Sequence, residues 1–128
     1  MSQVMKGIRV LEVAQFTFVP AAGGILADWG ADVIKIEDTG DGDYMRDFAP
    51  QVPNAAGTPV NPAFEATNRG KRSLCVDLKN PRGRELLFDL AATADALIES
   101  FRPGVLARLG LGWDVLHARN PRLVLCSI

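Results

Sequence analysis

The chain has 128 residues, of which 48% are hydrophobic and 23% are charged, a composition typical of one globular domain. Its 14 basic and 15 acidic residues are intermixed and give a net charge of -1. This balance disfavours nucleic acid and anionic membranes as partners of the whole molecule. No apolar run reaches the roughly 18 residues of a membrane span, and the start MSQVMKGIRV lacks the features of a secretory signal, so a cytoplasmic protein is predicted.

Metal and nucleophile chemistry find little support in the residue types present. The single histidine, His117, lies in a predicted helix, and Cys75 and Cys126 are far apart in sequence. A zinc site needs a closer cluster of such ligands, and no G-x-S-x-G motif marks a serine nucleophile. Each cysteine lies inside an apolar run, so both are predicted to be buried free thiols in a reducing compartment, with a disulfide the less favoured alternative.

The predicted elements begin with a strand–helix–strand unit. The apolar run IRVLEV predicts a strand over Ile8–Val13, and a helical pattern over Pro20–Trp29 follows with its proline in the first turn. Gly30 ends that helix, and DVIKIE predicts a second strand over Asp32–Glu37. This order is typical of a parallel sheet covered by helices.

Residues 39–68 interrupt the alternation of strands and helices. Glycines and prolines recur throughout this stretch, too densely for a regular element: Gly40, Gly42, Pro50, Pro53, Gly57, Pro59 and Pro62. A long irregular loop is therefore predicted, and such loops in a compact domain are usually functional. Phe48, Val60 and Phe64 are expected to pack the loop against the body of the domain.

The alternation resumes after residue 72 and continues to the last residue. The predicted elements are a strand over Ser73–Leu78, a helix capped by Asn80 with Pro81 at its first position, a strand over Asp95–Glu99, a short helix over 103–109, a helix over Trp113–Arg119 and a strand over Leu123–Ile128. The predicted class is therefore α/β, a Rossmann-like parallel sheet of about five strands with flanking helices. Because such sheets bind ligands beyond the carboxyl ends of their strands, a chain that stops at that edge is expected to be truncated.

A dinucleotide site is one functional alternative for such a fold. Glu37 ends the second predicted strand, where an acid binds ribose in NAD-binding domains. The rest of the fingerprint is missing, because AQFTFVPAAGG stands where G-x-G-x-x-G is required. Phe16, Phe18 and Val19 are too bulky for the close approach of backbone to a pyrophosphate, so an NAD site is disfavoured.

Basic residues gather near the ends of the later predicted strands. Six cations share this placement: Arg69, Lys71, Arg72, Lys79, Arg102 and Arg108. Arginine offers forked donors and lysine a point charge, the two groups that bind phosphates best. The cluster therefore indicates a phosphate-bearing ligand, while ordinary solvated charge is the alternative for any one of these residues.

Five segments, in chain order, carry a resemblance to a known family. They are GIRVLEVAQ from Gly7, LADWGADVIKIE from Leu26, GDYMR from Gly42, NRGKRSLCVDLKNPRGRELL from Asn68 and ADALIESFRPGVLARLGLGWDVLHARNPRLVLCSI from Ala94. Together they cover nearly the whole chain with family-like spacing. The chain resembles the class III CoA transferases, which include formyl-CoA transferase, carnitine CoA-transferase and α-methylacyl-CoA racemase.

This resemblance implies a CoA-binding, Rossmann-like amino-terminal part (residues 1–128) of a much longer enzyme that forms an interlinked homodimer. CoA or an acyl-CoA is then a substrate beside a carboxylic acid, and no cofactor is tightly bound. The family's CoA contacts, carried over residue by residue, fall on Thr17, Phe18, Val76, Asp77, Leu78, Lys79, Ser100, Phe101, Arg102 and Arg108.

Two positions depart from the family pattern. Asp38 stands where relatives often carry an arginine for the nucleotide end, so phosphate contacts are expected to shift to Arg69, Lys71 or Arg72. Ser100 stands in place of a common asparagine, a smaller change because a hydroxyl still donates and accepts hydrogen bonds.

The activity implied for the full-length protein is transfer of CoA between carboxylic acids, through an aspartate that attacks the thioester. Racemisation of a 2-methylacyl-CoA by a histidine–aspartate pair and a non-enzymatic CoA- or nucleotide-binding module are the alternatives. Both catalytic sets lie beyond residue 128 in the family, and His117 is not taken for the racemase histidine. No catalytic residue is therefore assigned, and the 128-residue chain alone is predicted to be inactive.

Overall fold

The computed structural model describes residues 3–128. The strands are β1 (Arg9–Val13), β2 (Asp32–Glu37), β3 (Val52–Pro53), β4 (Pro59–Val60), β5 (Arg72–Cys75), β6 (Ala96–Glu99) and β7 (Val124–Ser127). The helices are α1 (Phe18–Asp28), α2 (Met45–Phe48), α3 (Pro62–Asn68), α4 (Pro81–Ala92), α5 (Val105–Arg108) and α6 (Trp113–Arg119). Over this described range, no helix has both the length and the apolar character needed to cross a membrane.

Five of the strands form one parallel sheet in the order β5-β2-β1-β6-β7, which confirms the predicted α/β fold. The central strand β1 pairs with β2 on one side and β6 on the other, so that Leu11 lies opposite both Ile34 and Leu97. From β1 the chain adds β2 and then β5 on one side of the sheet, and afterwards β6 and β7 on the other side. The topological switch point, where doubly wound sheets bind their ligands, therefore lies between β1 and β6.

Helices cover both faces of the sheet. On one face, α4, α5 and α6 pack on the strands through a large apolar cluster that includes Leu11, Leu87 and Leu97. On the other face, α1 packs through a smaller cluster around Val10 and Val19, and α3 lies against α1. The alternation of side chains along β1 places Leu11 and Val10 on opposite faces, as the period of a strand requires.

The stretch 39–68 is more ordered than the sequence predicted. It contains α2, a short antiparallel hairpin of β3 and β4, and α3. Asn61 caps α3, because its side-chain oxygen accepts hydrogen bonds from the backbone amides of Ala63 (3.0 Å) and Phe64 (3.1 Å), with Pro62 next in the chain. Its side-chain nitrogen also donates to the carbonyl of Met45 (2.6 Å), which fixes α2 against α3. The prediction of a wholly irregular loop is therefore wrong.

The predicted third strand is too long at its carboxyl end. β5 ends at Cys75, and Asp77 then accepts a hydrogen bond from the backbone amide of Lys79 at 2.8 Å. An aspartate that binds the backbone two residues ahead favours a turn over continued extension. Residues 76–79 therefore form a turn rather than strand. The helix α4 begins as predicted, since Asn80 accepts from the amide of Arg82 at 2.9 Å.

The two cysteines are free, as predicted, but the prediction that they are buried is wrong. Cys75 lies on β5 and Cys126 on β7, and these strands form the two edges of the sheet. An apolar run in the sequence does not distinguish a central strand from an edge strand, where one side chain row is less covered. Both thiols are exposed to solvent.

Candidate functional site

A cavity of about 220 Å³ opens at the carboxyl-terminal edge of the sheet, beside the switch point. Its walls come from the ends of β1 and β2, the turn after β5, the loop after β6, and α5. The lining residues are Val13, Ala14, Gln15, Ile36, Glu37, Asp38, Val76, Leu78, Lys79, Phe101, Val105 and Leu109. The lining is mainly apolar with a few charged groups, the character of a small-molecule site.

Four of the ten residues that the resemblance assigns to CoA contacts line this cavity, namely Val76, Leu78, Lys79 and Phe101. They come from two separate segments of the chain, which the parallel sheet brings to one edge. The neighbouring Asp77 shapes the turn through its bond to the amide of Lys79. Most of the lining residues that the sequence did not assign to CoA, 13–15 and 36–38, lie at the ends of β1 and β2, where the rule for doubly wound sheets places a ligand. Val105 and Leu109, at α5, are the others.

The loop after β6 is held by a buried carboxylate. Glu99 accepts a hydrogen bond from the backbone amide of Phe101 at 2.7 Å, which turns the chain toward the cavity. Ser100 is exposed, and Arg102 lines an adjoining cavity together with Trp113. Arg108 ends α5 on the same side of the domain and is exposed. In the part of the chain that the structure describes, neither Arg102 nor Arg108 forms an ion pair.

The remaining two predicted contacts lie where the turn after β1 meets the start of α1. Thr17 precedes α1 without a side-chain cap, and Phe18 is 84% exposed. Neither residue contributes to the cavity wall, although both lie at the same edge of the sheet. Phe16 adopts φ 76°, a left-handed conformation that is rare for a bulky residue, and its amide donates to Asp43 at 3.0 Å. Such strained residues cluster at functional sites, because the surrounding structure has to hold them in place.

A network of four buried charges lies beneath this turn. Lys35 Nζ lies 3.0 Å from Glu12 Oε1 and 2.7 Å from Asp43 Oδ2. Lys71 Nζ lies 2.7 Å from Glu12 Oε2 and donates to the carbonyl of Pro20, also at 2.7 Å. The side chains of all four charged residues are at most 2% exposed. Two cations and two anions balance one another, which buried charges require.

This network clamps the turn from several sides. Lys35 donates to the carbonyl of Ala14 at 3.0 Å, Lys71 binds the carbonyl of Pro20, and Asp43 accepts from the amide of Phe16. Burial lowers the pKa of the Lys71 ammonium, and the Glu12 carboxylate beside it offsets part of that effect. The network therefore supplies the external support that the left-handed residue in the turn needs.

The basic cluster at the start of β5 (Arg69, Lys71 and Arg72) is paired with the chain's own acids. Lys71 is buried on Glu12, Arg69 binds Asp28 (Nε to Oδ2, 2.9 Å), and Arg72 binds Asp32 (Nη2 to Oδ2, 2.7 Å). These partners lie far away in sequence, so no local pattern revealed them. The structure gives no support to the expectation that these three cations take over phosphate contacts.

The carboxylate at the end of β2 is also engaged internally. Glu37 accepts hydrogen bonds from Nε and Nη2 of Arg46, each at 2.9 Å, from the Ser73 hydroxyl at 2.6 Å and from the amide of Asp43 at 3.1 Å. Burial raises the pKa of this carboxyl, but the bonds from Arg46 and Ser73 outweigh burial and hold the pKa at about 2. The acid that an NAD site would use for ribose is therefore bound to the protein itself.

The next residue, Asp38, is exposed at the rim of the cavity. Its Oδ1 accepts a hydrogen bond from the amide of Gly40 at 2.8 Å. Lys79 lines the same cavity from the turn after β5. The rim thus carries one carboxylate and one ammonium group on different walls.

The strand order and the cavity at the switch point define a doubly wound α/β domain of the kind that binds nucleotides. Within that class, residues 5–128 match the family model for CoA-transferase family III. The chain belongs to that family.

Similar proteins agree with this assignment. The chain is 47% identical over 126 residues to a succinate–glutarate CoA-transferase of Agrobacterium fabrum, covering 97% of the chain and 32% of that relative. It is 39% identical over 128 residues to a formyl-CoA:oxalate CoA-transferase of Afipia carboxidovorans, covering 100% of the chain and 29% of the relative. The crystal structure of a CAIB/BAIF family protein from Brucella suis aligns with a TM-score of 0.90 and 40% identity, over 99% of this chain and 33% of that one. The chain thus spans about a third of the length of these proteins.

Proposed function

We propose that the chain is the CoA-binding part of an enzyme that transfers CoA between carboxylic acids. The observation that carries this proposal is the cavity at the switch point. Val76, Leu78, Lys79 and Phe101 were assigned to CoA from the resemblance alone, and they line one cavity from two segments of the chain. Membership of the family and the transferase names of the relatives support the reaction class.

The chemistry of the cavity suits the parts of CoA. Its apolar walls, including Val13, Ile36 and Phe101, accommodate the adenine ring and the pantetheine chain. Lys79 on the wall and the exposed Arg102 and Arg108 nearby neutralise phosphates. CoA is proposed to be a substrate that the enzyme binds and releases, and the enzyme is proposed to hold no cofactor tightly.

Transfer is favoured over racemisation because the relatives named above are transferases. Three acids on the strands, Glu12, Glu37 and Glu99, are unsuited to act as nucleophiles, because they are buried and each is bound to a lysine, an arginine or a backbone amide. We therefore propose that the catalytic groups belong to another part of the enzyme and that this chain alone is inactive. Assays of acyl-CoA and acid pairs, and of deuterium exchange at the α-carbon of 2-methylacyl-CoA, should show no turnover above the uncatalysed rate.

The assembly and location belong to the same proposal. The full-length enzyme is proposed to form the interlinked homodimer of the family and to reside in the cytoplasm, where the exposed free thiols Cys75 and Cys126 remain reduced. Native mass spectrometry of the full-length protein tests the dimer directly. A monomer at micromolar concentration would contradict it.

Calorimetric titration of the chain with CoA and with NAD, at low and at high salt, tests the proposed binding role. We expect CoA to bind more tightly than NAD, since the NAD fingerprint is absent and Glu37 is occupied. The affinity for CoA should fall as salt rises, because exposed cations supply much of the attraction. Tighter binding of NAD, or binding of CoA that salt does not weaken, would overturn the proposal.

A further inference from the structure

Three aromatic side chains, Phe16, Tyr44 and Phe48, form an exposed aromatic surface where the loops after β1 and β2 meet. The three residues are between 38% and 62% exposed. The ring centroid of Phe16 lies 6.0 Å from that of Tyr44, in a stacked arrangement, and 4.8 Å from that of Phe48, edge to face. Contiguous exposed apolar side chains of this kind are typical of binding sites.

Buried polar contacts hold the aromatic surface in place. Asp43 Oδ1 accepts hydrogen bonds from the backbone amides of Phe16 (3.0 Å) and Met45 (2.9 Å), so one buried carboxylate joins the two loops. Asn61 fixes α2 by donating to the carbonyls of Met45 (2.6 Å) and Arg46 (3.0 Å). A surface that is already rigid loses less conformational entropy when a ligand binds, which is the advantage of a preorganised site.

The aromatic surface adjoins the cavity at the switch point. Gln15 lines the cavity, and its side-chain nitrogen donates to the carbonyl of Gly42 at 3.2 Å, so the residues before Phe16 and Asp43 are joined at the cavity wall. The cavity of about 220 Å³ is smaller than the roughly 300–1,000 Å³ of pockets for drug-sized ligands, and CoA is larger than most such ligands. A bound CoA therefore has to extend from the cavity onto the neighbouring surface.

Two kinds of surface are available beside the cavity, and they suit different ends of a CoA thioester. Arg102 and Arg108, in the loop after β6 and at the end of α5, form no ion pair within residues 3–128 and suit the phosphates. The rings of the aromatic surface suit an apolar group. In a CoA thioester the acyl group and the phosphates lie at opposite ends of the pantetheine chain, so both surfaces can bind the same molecule.

We propose that the aromatic surface binds the acyl group of the thioester substrate and selects acyl groups that have an apolar body. This inference rests on the proposed CoA-binding role and names the class of acyl group that the site prefers. An aromatic acyl group packed on these rings should bind about threefold to tenfold more tightly than a small one. Because the contact is uncharged, this gain should be the same at low and at high salt, whereas the affinity for CoA itself should fall as salt rises.

Calorimetry of the purified chain with CoA, acetyl-CoA and benzoyl-CoA tests this inference. The wild-type chain should bind benzoyl-CoA about threefold to tenfold more tightly than acetyl-CoA. The double variant Tyr44→Ala/Phe48→Ala should lose this gain and bind CoA as the wild-type chain does. Trp29→Ala is the matched control, because Trp29 is an aromatic residue of similar exposure (48%) that ends α1 at the opposite edge of the sheet, and this variant should keep the gain.

Circular dichroism checks that the variants fold, as expected for changes at exposed side chains. Phe48→Leu, which removes one ring and keeps an apolar side chain, is the milder variant and should reduce the gain even if the double variant does not fold.

The outcomes separate this inference from the proposed function. Binding of benzoyl-CoA no more tightly than acetyl-CoA by the wild-type chain would overturn the inference and leave the CoA-binding role in place. A gain that survives in the folded double variant, or that is lost to the same extent in Trp29→Ala, would also overturn it. If the folded wild-type chain binds none of the three ligands, the proposed function fails and this inference fails with it.

Discussion

The two faces of the sheet are built on different physics. Beneath α4, α5 and α6 the strands present a continuous apolar cluster, with Leu87, Leu97 and Leu116 fully buried. Beneath α1 the apolar cluster is smaller, and the strands bury the charges of Glu12 and Lys35 near the carboxyl-terminal edge of the sheet. One face is stabilised by apolar area, and the other contains groups that are stable only as a matched set.

This difference separates two tasks. An apolar core tolerates moderate changes of shape and supplies most of the folding free energy. A buried ionic network adds little net stability over an apolar equivalent, but it holds its groups in one arrangement. Here that arrangement fixes the turn after β1 through Ala14, Phe16 and Pro20. The α1 face therefore determines the geometry of the turn at the carboxyl-terminal edge of the sheet. The α4 face supplies most of the folding free energy that keeps the sheet intact.

The largest effect should come from removing one charge of the buried network. Glu12→Gln leaves Lys35 and Lys71 with a single buried carboxylate, and breaking a buried pair in this way costs about 3–5 kcal/mol of unfolding free energy. Glu85→Gln is the control, because the ion pair of Glu85 with Arg119 is long (3.7 Å) and exposed, and such pairs contribute about 0–1 kcal/mol. Urea unfolding of both variants measures the difference. Equal losses of unfolding free energy in the two variants would show that the buried charges do not depend on one another for stability.

On the apolar face, Leu87→Ala should cost about 2–5 kcal/mol, since it removes a fully buried side chain from the centre of the cluster. Its cost should be the same at low and at high salt, because no charge is involved. Denaturant unfolding at two salt concentrations checks this point. If the loss of unfolding free energy in Leu87→Ala depended strongly on salt, the two faces would not differ in the way described above.

The next largest effect should come from a glycine that lies against the backbone of a neighbouring turn. A methyl group on Gly83 of α4 would lie 2.0 Å from the carbonyl oxygen of Asp77, so Gly83→Ala must displace the turn after β5. We expect a loss of about 1–3 kcal/mol and weaker CoA binding, because the turn lines the cavity. Gly112→Ala is the control, since its new methyl group meets its nearest atom at an ordinary 3.5 Å. Thermal unfolding and CoA titration of the two variants measure both effects, and unchanged CoA binding in Gly83→Ala would contradict the role of the turn.

Acid should destabilise the fold through Glu37. Its pKa is lowered from 4.5 to about 2 in the folded protein, so the folded state binds fewer protons than the unfolded state between these values. The stabilisation is therefore present above about pH 4.5 and is lost as pH falls toward 2. Glu37→Gln should lower stability at neutral pH and flatten the pH dependence in that window. An acid limb of unchanged steepness in Glu37→Gln, measured by urea unfolding from pH 2 to pH 7, would contradict this assignment.

The smallest effect on stability should come from Arg108. It is exposed and forms no ion pair in the described part of the chain, so Arg108→Glu should change the unfolding free energy by no more than about 0.5 kcal/mol. CoA affinity should nevertheless fall, because the substitution replaces the proposed phosphate contact of Arg108 with repulsion. Arg122→Glu makes the same change of charge at an exposed position before β7, at the opposite end of the strands, and should leave affinity unchanged. Equal affinities in the two variants would show that Arg108 is an ordinary surface charge with no role in CoA binding.

The α/β class and the five-stranded parallel sheet followed from local patterns, because the strands are apolar runs that alternate with helical patterns. The order of the strands within the sheet was not predicted. Asn80-Pro81 predicted the start of α4 correctly. The same cap, Asn61-Pro62, stands before α3, but it was not recognised, because Pro62 was interpreted only as one of the glycines and prolines that interrupt regular structure. The end of β5 was missed for a similar reason, since an apolar run continues through residue 78 while Asp77 turns the backbone.

The partners of charged residues could not be predicted from local sequence. Lys71 and Glu12 are 59 residues apart, and Arg72 and Asp32 are 40 apart, so only the folded sheet brings them together. In the sequence, the cations at 69–72 therefore looked available to a ligand. Four of the cavity residues, Val76, Leu78, Lys79 and Phe101, were named from the family resemblance alone. The fold explains why they meet, since they follow strands whose carboxyl ends lie at one edge of the sheet.

The central claim, that CoA binds at the switch point, is tested most directly by NMR of the isotope-labelled chain. Amide shifts recorded during titration with CoA locate the ligand residue by residue. We predict the largest changes in the turn after β5 (76–79) and the loop after β6 (100–102), with little change in the hairpin of β3 and β4. Changes confined to the ion-paired segment 69–72, or spread evenly over the surface, would contradict the account.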